Sequence, residues 1–141
     1  MEAQTIFTKR WFGYFILMFI VWYPVTLLVV TMYSVLQQPI FLLAQNLFTP
    51  LWILLVSYLY FRHARDDWAA RFVTAAGWMA LLFLFSAALV QPVYGYPWTS
   101  VLTWEVLNAN WVNFVAILVG GITAHQSIAP LLASDGARER K

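Results

Sequence analysis

One carboxyl group and a run of carboxamides sit where the chain is otherwise hydrocarbon. Residues 104–121 read WEVLNANWVNFVAILVGG, with Glu105, Asn108, Asn110 and Asn113 in the first ten and no polar side chain in the rest. Glu105 is the one acid of the six in the chain that lies outside a charged segment. An ionisable group in an apolar span raises a functional hypothesis, a ligand contact or a proton relay. The bland alternative is that carboxyl and carboxamides hydrogen-bond neighbouring helices together, at ~0.6 kcal/mol per bond on average. Glu105 stands early in its span, where the helix dipole favours an anion.

A helical wheel at about 100° per residue gathers Glu105, Asn108, Ala109, Asn113, Ala116, Gly120, Thr123 and Ala124 on one side. Trp104, Leu107, Trp111, Phe114, Val115, Leu118 and Ile122 take the other, and Asn110 falls on the border. The small and polar side is expected to face protein and the large side lipid. Ala116, Gly120 and Ala124 continue the small side at four-residue spacing, a pattern that lets two helix backbones approach closely. A second polar stripe runs through Gln45, Thr49, Trp52, Val56 and Tyr60, with Asn46 beside it. Gln45 and Asn46 should lie at the depth of Glu105 and Asn108, so the sequence predicts one intramembrane polar cluster of Glu105, Asn108, Asn113, Gln45 and Asn46. An inward carboxamide is expected to reach a carbonyl freed by Pro24 or Pro50, at Ile20 or Asn46.

Other chemistry is scarce. The only histidines, His63 and His125, stand at span ends; bis-histidine haem ligation would need both rings turned inward, and no cofactor is predicted. There are no cysteines, which removes thiolate metal sites and cysteine nucleophiles. No Ser-His-Asp set, HExxH motif or paired inward carboxylates appears, so no catalytic or metal-binding residue is assigned. The string QPVYGYPWTS at 91–100 lacks the TVGYG order of a potassium filter. Its Tyr94, Tyr96 and Trp98 fit an interfacial aromatic belt or a partner contact, and Gly95, Pro92 and Pro97 are expected to prevent regular helix.

The elements that must position these residues follow from composition. Apolar residues make up 62% of the 141, aromatic residues 18%, and charged residues only 10%, against about 25% charged in a soluble domain. Lipid is the solvent that accepts such a surface. Spans of ~20 apolar residues cross a bilayer as helix, and four qualify: 11–36, 40–61, 72–90 and 103–124. The first, ~39 Å at ~1.5 Å per residue, exceeds the bilayer, so it should tilt or bend at Pro24. It is also too long for the apolar core of a signal peptide and is read as retained.

All eight basic residues fall before span one, between spans two and three, or after span four. The positive-inside rule then puts both termini in the cytoplasm. The short links Gln37–Pro39 and Arg62–Arg71 imply antiparallel neighbours, the second as a solvated, self-compensating turn. The expected fold is all-α: a single four-helix transmembrane bundle, up-down-up-down, over residues 1–141, with a flexible cytoplasmic tail at 127–141. No internal repeat is visible.

Scattered basic residues exclude a nucleic-acid footprint. The expected partners are the lipid bilayer and either other membrane subunits or further copies of the chain, in the plasma (inner) membrane of a prokaryote. The leading functional expectation is a non-catalytic subunit or scaffold of a larger membrane assembly. The alternatives are an oligomeric small transporter or channel using Glu105 and neighbouring amides, and, last, a lipid- or quinone-related enzyme or cofactor carrier.

Overall fold

Inside a bilayer no water satisfies bare amides, so an apolar chain must close its hydrogen bonds within each segment. The computed structural model describes residues 6–64 and 67–138, with side chains described as far as 126. Helix α1 spans Lys9–Leu36, α2 Ile40–Phe61, α3 Trp68–Tyr94, α4 Trp104–Ala109 and α5 Trp111–Arg138, with a 3-10 turn at Trp98–Leu102 before α4. No strand occurs among the described residues. α1, α2, α3 and the stretch Trp104–Gln126 are each long and apolar enough to cross a membrane. The chain fits a small multi-pass membrane protein.

The helix limits are set by caps more than by hydropathy. Thr8 begins α1 by accepting the Trp11 amide at 3.2 Å, two residues before the apolar run. Gln37 ends it in the left-handed region at φ 52°, its N–H on the Tyr33 carbonyl. α2 has the limits expected from sequence. α3 starts at Trp68 rather than Phe72, because Asp67 caps it by accepting the Ala70 amide at 2.7 Å. It also runs on through Pro92 to Tyr94. A proline in a final turn removes only one hydrogen bond, and the actual stop is Gly95, whose φ of 74° suits a residue without Cβ. Span four is divided at Asn110, and α5 keeps helical backbone past Ser127 to Arg138, through a segment read from sequence as frayed.

The link between α2 and α3 also departs from expectation. Trp68–Arg71 is helical, and Arg71 is buried, 6% exposed, with its guanidinium 4.9 Å from the Trp68 ring centroid. A charge with an aromatic face beside it and a glycine, Gly121, against its stem can be buried at lower cost than a bare one. Arg65 and Asp66 lie outside the described residues.

The core occupies one half of the bundle. In α1 the buried residues are Trp11, Phe15 and Met18; in α2 none precedes Ile53. On α3 they run from Ala70 to Leu82, followed by Val90 alone. On α5 they are Asn113, Ala116, Ile117, Gly120, Gly121 and Ala124. This half also holds the basic residues Arg10 and Arg71, and Arg10 Nη1 donates to the His63 carbonyl at 2.8 Å, tying the start of α1 to the end of α2. The opposite, far half carries the Gln37–Pro39 turn and the aromatic loop, and its large side chains, Val90 apart, are half-buried or exposed.

Small residues explain the difference. Gly120 packs on α2 so tightly that a Cβ there would stand 2.7 Å from Ser57 Cβ and 2.8 Å from the Leu54 carbonyl oxygen. Ser57 Oγ donates across the same contact to the Ile117 carbonyl at 2.7 Å. Ala116, Gly120 and Ala124 are all buried there. Gly77 gives Trp11 its place: a Cβ would lie 2.6 Å from the indole, which then reaches Thr74 Oγ1 at 3.1 Å. α1 beyond Met18 has no comparable small residue facing a neighbour, and it packs against α3 only slightly.

Replacing Gly120 by Val should lower stability by about 1–3 kcal/mol through overpacking, read as a fall in thermal unfolding midpoint in mild detergent. Gly13→Ala, where an added Cβ meets nothing within 4 Å, should leave the midpoint unchanged or raise it. Equal midpoints for Gly120→Val and the native chain would contradict the close approach.

Candidate functional site

The break in span four is built from carboxamides. In a continuous helix the Asn110 N–H would bond the Val106 carbonyl. Here it bonds Leu107 O at 3.2 Å instead, and the Asn110 side chain donates through Nδ2 to Val106 O at 2.7 Å. The side-chain amide thus replaces the backbone amide, and the Val106 carbonyl keeps a donor in an apolar medium, where an unsatisfied one would cost several kcal/mol. Asn110 Oδ1 then accepts from Asn113 Nδ2 at 2.8 Å. Asn113 is buried, 7% exposed, and bonds neither Ile20 nor Asn46, the carbonyls expected from the prolines. Asn110, a border residue on the wheel, is the residue on which this segment turns. The available signal was an Asn three residues before another Asn; Asn competes with the backbone for hydrogen bonds and so favours interruptions.

A second network joins α1 to α2. Gln45 Nε2 donates to Thr26 Oγ1 at 2.7 Å and to Thr49 Oγ1 at 3.0 Å. Trp22 Nε1 donates to Thr49 Oγ1 at 3.1 Å, and Trp52 Nε1 to the Met18 carbonyl at 3.0 Å. Gln45, Thr49, Trp52 and Tyr60 of the stripe therefore face α1, with Tyr60 edge-on to Tyr14, and Val56 is fully buried. Trp22 and Thr26, one turn apart on α1, supply the other side of it.

Two cavities flank these networks in the far half. One, about 330 Å³, is lined by Trp22, Gln45, Asn46, Thr49, Asn110 and Asn113 among others. The other, about 250 Å³, adds Tyr23, Thr26, Ser86 and Tyr94 to Trp22 and Asn110, with an otherwise apolar wall. Of the five residues expected to form one cluster, Gln45, Asn46 and Asn113 line the same cavity, while Glu105 and Asn108 do not. Both of the latter are exposed, which corrects the inward placement. The buried arc of α5 is centred about a quarter turn from the Glu105 direction, and the Asn110 break puts α4 out of phase with α5. Thr123 is exposed for the same reason of phase.

The remaining expected residues lie elsewhere. Tyr94, Tyr96 and Trp98 are exposed, at 38%, 61% and 55%, in the last turn of α3 and the loop after it. His63 and His125 are exposed beyond the buried residues of α2 and α5. Among the described residues no three His, Asp or Glu side chains converge.

If Asn110 and Asn113 act as a bonded pair, Asn110→Leu and Asn113→Leu should each destabilise the chain. The double variant should then lose less than the sum, with a coupling of about 0.6 kcal/mol or more. Unfolding in detergent measures this, and strict additivity would remove the bond from the account.

No family, curated protein or solved structure matches this chain.

Proposed function

We propose that the chain is a non-catalytic subunit or scaffold of a larger membrane assembly. In this reading it crosses the plasma membrane of a prokaryote four times, up-down-up-down, with both termini cytoplasmic. The observation that carries the proposal is the exposure of Glu105, Asn108 and Asn46 on spanning helices, in the half of the bundle where α1 and α2 bury nothing. Exposed threonine and serine on α1 look after themselves: Thr31 and Ser34 donate to the Leu27 and Val30 carbonyls one turn back. Glu105, Asn108 and Asn46 make no such side-chain bond to a carbonyl one turn back, and a polar group at membrane depth is costly until protein or water covers it. A neighbouring helix laid along α4 and the start of α2 would supply that cover. The small side-chain inventory supports a non-catalytic role.

The orientation rests on the bias of basic residues and on the bond from Arg10 to His63, which gathers basic segments at one end. A second reading, an oligomeric small transporter, is favoured by the polar cavities. It differs in requiring identical copies and a solute flux that falls when Asn113 is replaced by Leu.

The absence of cysteine makes single-cysteine chemistry clean. Gln38→Cys and Tyr96→Cys should react with an impermeant maleimide in intact cells, and His63→Cys only after permeabilisation; the opposite pattern would invert the topology. For the subunit role, a photo-crosslinker on Asn108→Cys should give one adduct of constant mass in native membranes, and the same reagent on Leu84→Cys should give none. An unadducted chain that also purifies alone as a monomer overturns the proposal. An adduct at twice the chain mass would favour the oligomeric transporter.

A further inference from the structure

The geometry points to a binding site for an uncharged amphiphile bearing a hydroxyl or amide headgroup, seated where the two far-half cavities share Trp22 and Asn110. The site needs no second polypeptide and is independent of the subunit reading.

The chemistry of the walls selects the ligand class. No charged side chain lines either cavity, so an ionised ligand would lie in a low-dielectric space without a counter-charge. Two buried polar atoms at these walls lack partners: the Tyr23 hydroxyl and the Gln45 Oε1. A buried polar atom is destabilising until it is bonded. The Gln45 carboxamide has already committed one pole to Thr26 and Thr49. Turned over, it would offer oxygen to those hydroxyls and leave its NH₂ over, so one pole is orphaned in either orientation. Gln45 lines the larger cavity, where that pole is left for a ligand.

A hydroxyl or amide both donates and accepts, and so matches the Tyr23 hydroxyl in the smaller cavity and either pole of Gln45 in the larger. The rest of the smaller cavity, including Leu82, Phe83, Val90 and Val101, accepts a hydrocarbon or aromatic body. The larger cavity, about 330 Å³, falls in the range of small-ligand sites, about 300–1,000 Å³, and the smaller, about 250 Å³, lies just below it. Two membrane sources offer this chemistry, the glycerol hydroxyls of a neutral lipid and the ring hydroxyls of a quinol.

The test uses the full chain in phosphatidylcholine nanodiscs. The probes are a brominated monoacylglycerol, the brominated alkane of equal length, and the brominated fatty acid at a pH where it is ionised. Quenching of Trp22, taken as the difference from Trp22→Phe, should saturate with the monoacylglycerol and be at least about tenfold weaker for the other two. Tyr23→Phe, which deletes a hydroxyl that bonds nothing in the fold, should weaken the monoacylglycerol about five- to tenfold and leave the alkane unchanged. A diazirine monoacylglycerol gives a reading that does not depend on Trp22, with cross-links expected on the Trp22–Thr26 and Asn110 peptides. Unlabelled monoacylglycerol and a short-chain quinol then compete for the site, and whichever displaces the probe at lower concentration names the source. Equal quenching by all three probes, no saturation, or unchanged affinity in folded Tyr23→Phe would overturn the assignment.

Discussion

Gly120 and Ser57 meet where two helix backbones come within reach of each other's carbonyls, and the rest of the bundle is arranged around that approach. Lipid offers no hydrophobic reward for bringing helices together, since acyl chains are as apolar as leucine. What remains is dispersion, which rises steeply as surfaces close, and hydrogen bonds that cross the gap. The absence of a Cβ at Gly120 lets α5 reach the Leu54 carbonyl on α2, and Ser57 uses the proximity to bond Ile117 O. Ile53, Val56, Ile117 and Ala124 are then buried around the contact. With α2 and α5 joined, α1 docks on the outer side of α2 and α3 against α5, with Trp11 filling the space over Gly77.

The same constraint accounts for the open half. Close packing is helped most by glycine and alanine, and α1 beyond Met18 has neither. α1 and α2 stay together there through polar contacts, Trp22 and Gln45 on Thr49, rather than through interdigitated hydrocarbon. Space between the helices follows, and polar side chains border it. The bundle is thus a packed half carrying basic residues and a looser half carrying carboxamides, and the functional reading lies in the second.

The Asn110 break shows how a side chain can take over a backbone bond where a membrane helix is interrupted. One side-chain amide replaces one backbone amide at Val106, and the freed geometry is held by the bond to Asn113. On the two sides of the interruption Glu105 is exposed and Asn113 is buried. A buried polar atom left over in the packed half, Trp78 Nε1, has no counterpart in these arrangements, and nothing in the structure explains it.

Much of the architecture was legible from residue order. The number of spans, the limits of α2, and the grouping of small residues on one side of α5 and of polar ones on one side of α2 depend on local composition and helical spacing, which a one-dimensional chain carries in full; that the α2 stripe meets α1 rather than span four was not among them. Cap chemistry was present too, at Asp67 and Thr8, but was masked by hydropathy, which marks where lipid begins rather than where helix begins. The burial of Arg71 and the exposure of Glu105 could not be read this way. Each depends on the rotation of a helix about its axis relative to neighbours far away in the chain. A wheel ranks the faces of one helix but holds no information about which face another helix covers, and an interruption such as Asn110 resets the count. Residue order therefore decided that the chain is helical and lipid-embedded; only the packing of α5 on α2 decided which polar groups it encloses, because in lipid that choice is made by the closeness of surfaces and not by their polarity.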